Sequence, residues 1–192
     1  TTHDLYISAT FSTEGVAPRK TGLYYLYQDG TESWYDWSKS TLSKSDNTGY
    51  YASIIIDYGG AVQTIPSSAF YSQSYLTKIV FPNCTYINVS AFARCWSLSY
   101  IYLPNCSYIG DSAFEVCSSL SYISLPNCSF VGKEAFVGCH SLSYIDLPNC
   151  SYIGNEAFYS CKLLSSVNLP LCEYIDIHAF LDCVLLSSIY LP

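Results

Sequence analysis

Ten cysteines stand at positions 84, 95, 106, 117, 128, 139, 150, 161, 172 and 183, one at every eleventh position. Thiols can form disulfides, hold metal or act as nucleophiles, and each chemistry demands its own spacing. An even count in an extracellular chain invites a disulfide reading. That spacing, however, is half of a longer period, so consecutive cysteines fall on opposite sides of a coil whose layers lie about 10 Å apart. A disulfide needs Cα atoms within about 7 Å. Cysteines one full period apart, such as Cys84 and Cys106, are near enough, but their side chains run parallel. Metal binding is disfavoured because no C-x-x-C pair exists and the only Cys–His neighbours are Cys139 and His140. The expectation is two columns of thiols packed as small apolar groups, with disulfides as the alternative.

Other reactive residues are sparse. The three histidines, His3, His140 and His178, fall in no shared motif, and no G-x-S-x-G, H-E-x-x-H, P-loop or dinucleotide fingerprint is present. No catalytic residue, metal ligand or cofactor is expected, and the chain reads as a non-enzyme. Eight basic residues against fifteen acidic ones give a net charge of −7, which argues against nucleic acid and anionic lipid as partners. The longest apolar runs, such as Ile54-Ile55-Ile56, are far too short to span a bilayer.

Binding chemistry is better represented. Tyr100, Tyr122 and Tyr144 recur once per full period, a column continued by Ser166 and Ser188. A second column runs Tyr102, Ser124, Asp146, Asn168 and Tyr190. Tyrosine offers contact area and a hydroxyl at low entropic cost, so both columns are candidate binding surfaces, with a purely supporting ladder as the alternative. Trp34 and Trp37 belong to an aromatic-rich segment that is either a sugar-stacking platform or simply strand filling. Asn83, Asn105, Asn127 and Asn149 each begin an N-C-[ST] sequon, and Asn88 begins a fifth, so all five are candidate N-glycosylation sites. Glycans on successive rungs would crowd at about 4.8 Å, and Asn after Pro is an ordinary turn residue, so the turn role is the expectation.

All these columns follow from one repeat. Proline falls at 82, 104, 126, 148, 170 and 192; Ala-Phe recurs from Ala91-Phe92 to Ala179-Phe180; leucine recurs from Leu98 to Leu186, with Ile or Val three residues on. An earlier, worn rung carries Ala69-Phe70, Leu76, Ile79 and Phe81. Segments such as Leu98–Leu103 read as short strands with Leu and Ile inward, ended by a proline that cannot donate to the next ladder. The Asp111–Cys117 stretch fits one short helical turn packed on the sheet, with Asp111 placed to cap it. Stacked rungs pair their strands in parallel, like other solenoids. Residues 60–192 are thus expected to form a solenoid of about six rungs. Residues 1–59 lack the repeat and form a small antiparallel β unit or cap. There Asp29-Gly30 signals a two-residue hairpin setting Tyr25 opposite Trp34 and Tyr24 opposite Tyr35. Leu5–Phe11 and Tyr50–Tyr58 are further strand candidates, and 15–20 and 38–48 are loops.

The motif I-G-x-x-A-F-x-x-C-x-x-L-x-x-I-x-L-P, read as Ile109-Gly110 through Leu125-Pro126, resembles the BspA-like leucine-rich repeats of bacterial surface proteins. The resemblance covers about two-thirds of the chain. It implies an α/β class fold, a right-handed leucine-rich-repeat solenoid with a parallel β-sheet. It also implies display outside the cell, adhesion or protein contact, and no catalytic residues. The expected function is a non-enzymatic extracellular or cell-surface module. Its partner is a protein or glycan on another cell, or a second copy joined head to tail into a filament. A receptor-binding segment of a phage-type fibre and a carbohydrate-binding module built on the N-terminal aromatics are the alternatives. The chain has no methionine and stops at Leu191-Pro192 without a polar capping rung. That composition is expected of an excised piece. A covered end in a filament and a tolerated bare end are the other readings.

Overall fold

A computed structural model describes residues 22–35 and 52–192. The expected strand at Leu5–Phe11, the loops at 15–20 and 38–48, and Trp37 lie outside them. Strands β1 (Leu23–Tyr27) and β2 (Glu32–Tyr35) form an antiparallel hairpin, and β3 (Ala52–Asp57) pairs antiparallel with β1 on its other edge. The hairpin register differs by one residue from the expectation: Tyr24 faces Trp34 and Tyr25 faces Ser33. The cause is the loop, which holds three residues rather than two. Gly30 adopts φ 80° after a turn closed by its own amide on the Tyr27 carbonyl, and the Tyr27 amide then returns to the Thr31 carbonyl. This is the three-residue loop in which a left-handed glycine adds a bulge. Asp29 Oδ1 fixes it, accepting from the Thr31 amide at 2.9 Å and the Thr31 hydroxyl at 2.6 Å.

Beyond β3 the chain coils, and short strands alternate between two columns. One column is β4 (Thr64–Ile65), β6 (Tyr86–Ile87), β8 (Tyr108–Ile109), β10 (Phe130–Val131), β12 (Tyr152–Ile153) and β14 (Tyr174–Ile175), all parallel. The other is β5 (Lys78–Val80), β7 (Tyr100–Tyr102), β9 (Tyr122–Ser124), β11 (Tyr144–Asp146), β13 (Ser166–Asn168) and β15 (Ser188–Tyr190). Strand β3 joins this second column by pairing parallel with β5, Ile54 against Lys78. The hairpin, β3 and the first repeats thereby share one sheet in the order β2-β1-β3-β5-β7. The step from Ile54 to Lys78 is two positions longer than the repeat, which carries Lys78 to Tyr100. The extra length lies between β3 and β4, in a loop closed by the buried Asp57, whose Oδ2 accepts the Val62 amide at 2.8 Å.

The expected helical turn at Ala-Phe is absent: among the described residues no helix occurs, and Asp111 does not cap its own turn. Its Oδ1 instead accepts the Lys133 amide of the next rung at 2.9 Å. The reason is how the amides are directed. Those of Ser90, Phe92 and Arg94 donate to the carbonyls of Asp111, Ala113 and Glu115 one rung on, at 2.7–2.9 Å. Those of Ala91, Ala93 and Cys95 close turns on carbonyls three residues back. A helix would direct every amide inward along its own axis. Here alternate amides point outward to the neighbour, which requires left-handed residues at Ser90 and Arg94 and their equivalents in other rungs.

Side chains complete the stacking. The inner columns are apolar: Phe70, Phe92, Phe114, Phe136 and Phe158 stack with centroids 5.0–5.3 Å apart and planes within 10°. Each is at most 1% exposed, as are Leu98, Leu120, Leu142 and Leu164. Buried side chains of this size contribute about 1.5–3 kcal/mol each by burial alone. Polar columns direct their donors to carbonyls of the previous rung, as Ser129 Oγ does to Ser107 at 3.1 Å. In the last rung Phe180, Leu186 and Ile189 are only partly buried, and Ile177, Val184 and Leu185 are exposed.

Candidate binding face

All ten cysteines are free thiols and all are buried. They form two columns, each thiol donating to a carbonyl. Cys117 Sγ reaches the Phe92 carbonyl of the previous rung at 3.2 Å, and Cys128 Sγ the Phe130 carbonyl at 3.3 Å. Burial pushes the Cys95, Cys128 and Cys139 thiols up to about 12, so these sulfurs stay protonated and poorly nucleophilic at neutral pH. His140 Nδ1 lies 3.0 Å from the Ser160 carbonyl, and His178 Nδ1 lies 3.9 Å from Glu156. Neither faces a thiol or a second histidine in these contacts. Among the described residues no group of three or more His, Cys, Asp or Glu side chains converges on a metal-sized site.

The sequon asparagines have a structural use. Asn83, Asn105, Asn127 and Asn149 donate Nδ2 to the carbonyls of Gly60, Pro82, Pro104 and Pro126 at 2.6–2.9 Å, one rung back. Asn88 Nδ2 does the same to Ile65 at 3.0 Å. The atom a glycan would modify is therefore the one that ties consecutive rungs together.

The outward side chains of the β3–β15 column build the candidate site. In a strand alternate residues face opposite sides, so Ile79, Ile123 and Ile145 enter the core while their neighbours face out. At the hairpin end Trp34 packs on Tyr24 (4.7 Å between centroids) and stacks on Tyr58 (5.3 Å). Tyr24, Ile56 and Val80 form a small buried cluster of their own, against which Leu26, Trp34, Ile54, Tyr100 and Tyr102 pack. Lys78 Nζ sits 4.8 Å from the Tyr100 ring centre, a cation–π contact, and partial burial lowers its pKa below the ordinary lysine value. Burial, reinforced by a hydrogen bond to Glu32, pushes the Tyr24 hydroxyl up to about 12.

The ladder is interrupted next to this cluster. Hydrogen-bonded sheet runs to β7 and begins again at β9, leaving β9-β11-β13-β15 as a separate four-stranded sheet. At the other junctions a hydroxyl residue fixes the step, Thr77 on Ser53 at β3–β5 and a serine elsewhere. Ser99, Ser143, Ser165 and Ser187 each donate both amide and hydroxyl to the equivalent residue one rung back, at 2.9–3.3 Å. Ser121, the member of that series at the β7–β9 junction, makes neither bond to Ser99. The Ser119 amide donates to Trp96 instead, at 3.1 Å. Ile101 is correspondingly half-buried, where Ile79, Ile123, Ile145 and Val167 are at most 1% exposed. A cavity of about 520 Å³ opens at the break. Tyr100, Tyr102 and Pro104 line it from one rung, and Tyr122, Ser124 and Pro126 from the next, with Ser99, Ile101 and Ser121. Beyond it Tyr122 stacks on Tyr144 at 5.8 Å.

Two sites expected separately thus share one surface: Trp34 and the pair Tyr100 and Tyr102 pack on the same cluster, and Tyr122 and Tyr144 continue across the break. Tyr190 stands apart on β15, 63% exposed. A second aromatic ladder was not singled out in the sequence, although its rings also recur once per rung. Tyr86, Tyr108, Phe130, Tyr152 and Tyr174 stack at 4.3–5.3 Å with planes within 13°. Stacked this closely, the inner rings cover one another's faces and leave only edges outward.

The BspA type leucine rich repeat region matches in six copies, over residues 46–121 and 85–192. Among solved structures, a leucine-rich repeat protein from Bacteroides ovatus ATCC 8483 is 27% identical with a TM-score of 0.69. The match covers 88% of this chain and 44% of that one, so the chain spans less than half of its relative. A T. pallidum leucine rich repeat protein gives 19% identity and a TM-score of 0.45 over 90% of this chain and 91% of that one. A leucine rich cell surface protein from Faecalibacterium prausnitzii A2-165 gives 16% and 0.31, over 94% and 96%. No match was found among curated proteins. With six copies of the repeat covering most of its length, the chain belongs to the family of BspA-type leucine-rich-repeat proteins.

Proposed function

We propose that the chain is a non-enzymatic interaction module displayed at the cell surface or outside the cell. In this reading a partner protein docks on the outward face of the β3–β15 column, between Trp34 and Tyr144. The observation that carries it is the grouping of Trp34, Tyr100, Tyr102, Tyr122 and Tyr144 on one face around an open cavity. Rigid aromatic anchors beside a pocket are the side chains that dominate protein interfaces. Membership of a repeat family whose solenoids serve as binding scaffolds supports the same reading.

The test is an array of purified secreted and cell-surface proteins, with a glycan array in parallel. Wild type is compared with a triple variant Tyr100→Ser, Tyr122→Ser, Tyr144→Ser and with a second-ladder variant Tyr108→Ser, Tyr152→Ser. Serine already occupies the first column at 166 and 188, so the triple change suits the fold. Protein spots shared by wild type and the second-ladder variant but lost in the triple variant are the expected result. Spots on the glycan array alone, or loss confined to the second-ladder variant, would overturn it.

A further inference from the structure

We infer that the break between β7 and β9 is a cleft for an extended, uncharged, proline-bearing peptide segment of the partner. This rests on the reading of that face as the docking surface and names what enters it. The chemistry of the lining carries the argument. Tyr100, Tyr102 and Tyr122 with Pro104 and Pro126 make apolar, planar walls, and no carboxylate, amine or carboxamide lines the cavity. A charged side chain would lose its hydration there without a counter-charge. About 520 Å³ is within the range of ligand sites and holds a few side chains rather than a whole domain.

The polar groups fit a peptide backbone. Ser121 keeps an amide and a hydroxyl, and Ser99 a carbonyl, that the other junctions commit to the ladder. A peptide crossing the break supplies the missing acceptor and donor. Proline suits the walls because a polyproline II segment is already extended and aromatic-lined grooves take its rings at low entropic cost. A sugar fits less well. Its hydroxyls call for carboxylate or amide partners, absent here, and one face of Tyr122 is taken by Tyr144.

The probes are fluorescein-labelled decaproline, a Gly-Ser decamer of the same length, and cellohexaose, measured on the full chain. Decaproline should bind saturably and the Gly-Ser decamer should not. Ser124→Trp fills the cavity and should weaken decaproline by about tenfold or more, a difference of about 1.4 kcal/mol. Lys162→Trp, at an exposed turn between β12 and β13 away from the docking face, should leave binding within about twofold. Ser121→Ala tests the freed hydroxyl without adding bulk, and a loss of about threefold or more is expected there. Absence of decaproline binding, equal loss in both tryptophan variants, or cellohexaose binding in its place would overturn the inference. An array partner lost in the triple tyrosine variant but retained by Ser124→Trp would sink the cleft and leave the docking face standing. Decaproline binding with no array partner would do the reverse.

Discussion

Val116 holds a β-branched side chain at φ 56°, a conformation that costs such a residue about 1–3 kcal/mol. Its equivalents one rung either side are Arg94 at 62° and Gly138 at 69°, and Ser72, Ser160 and Asp182 continue the series. The left-handed bend is what turns the next amide toward the neighbouring rung, so the position keeps it whatever residue it carries. Val116→Gly removes the strain while increasing unfolded-chain freedom by about 0.5–1 kcal/mol, so a net gain near 1 kcal/mol is expected. A urea midpoint that rises with unchanged slope would confirm it, and a fall would mean that the half-buried valine packs for more than its strain costs. None of this was visible in the residue types, because Ser, Arg and Val are not left-handed formers. Their conformation follows from a hydrogen bond to another rung, which a single sequence does not display. The asparagines illustrate the opposite case: Pro-Asn correctly marked a turn, but only the fold revealed that Nδ2 reaches the preceding rung.

At the scale of elements, the closeness of stacked coils depends on positions without a Cβ. A Cβ on Gly154 would come within 2.7 Å of the Gly132 carbonyl carbon and the Lys133 amide, both backbone atoms that cannot rotate away. Gly154→Ala should therefore force two rungs apart and cost about 2–4 kcal/mol, more than most single substitutions. The same replacement at Gly30, which meets nothing within 4 Å, leaves packing intact and adds only left-handed strain. Comparing the two by chemical denaturation separates rung spacing from turn strain; equal losses would refute the spacing argument. The repeat period was legible in the sequence because proline, leucine and cysteine each mark a fixed point of the coil. The second strand column was not, since two-residue strands such as Tyr108–Ile109 are too short for alternation to register. The hairpin register was missed for a related reason. Asp-Gly signals a turn, but whether the loop holds two residues or three depends on Gly30 adopting φ 80°. The break at β7–β9 is not legible in the repeat, as Ser99 and Ser121 both stand in Leu-Ser-Tyr-Ile and only Ser99 is bonded back.

For the whole molecule, the thiol columns make stability depend on alkaline pH, and the sign follows from burial. Desolvation raises Cys95, Cys128 and Cys139 from an unfolded value near 9.0 to about 12, and pushes Cys106 and Cys117 well above it. Below pH 9 both states are protonated at these sulfurs and the folded chain keeps its full stability. Between pH 9 and about 12 the unfolded chain ionises while the folded chain does not. Each such thiol then removes about 1.4 kcal/mol per pH unit. Tyrosine hydroxyls titrate in the same range, so a variant must isolate the sulfur contribution. Cys117→Ala with Cys139→Ala deletes two neighbours of one column at sites of least exposure. The double variant is less stable than wild type at pH 7.5, because each change leaves a small void. Its urea midpoint should nonetheless fall less steeply from pH 9 to 10.5, and the gap to wild type should narrow across that interval. Parallel curves would show that the folded thiols ionise as readily as unfolded ones and would refute the desolvation argument. The same protonated state predicts slow alkylation of the column by iodoacetamide at pH 8, with Cys172 and Cys183, each 9% exposed, modified before the fully buried eight.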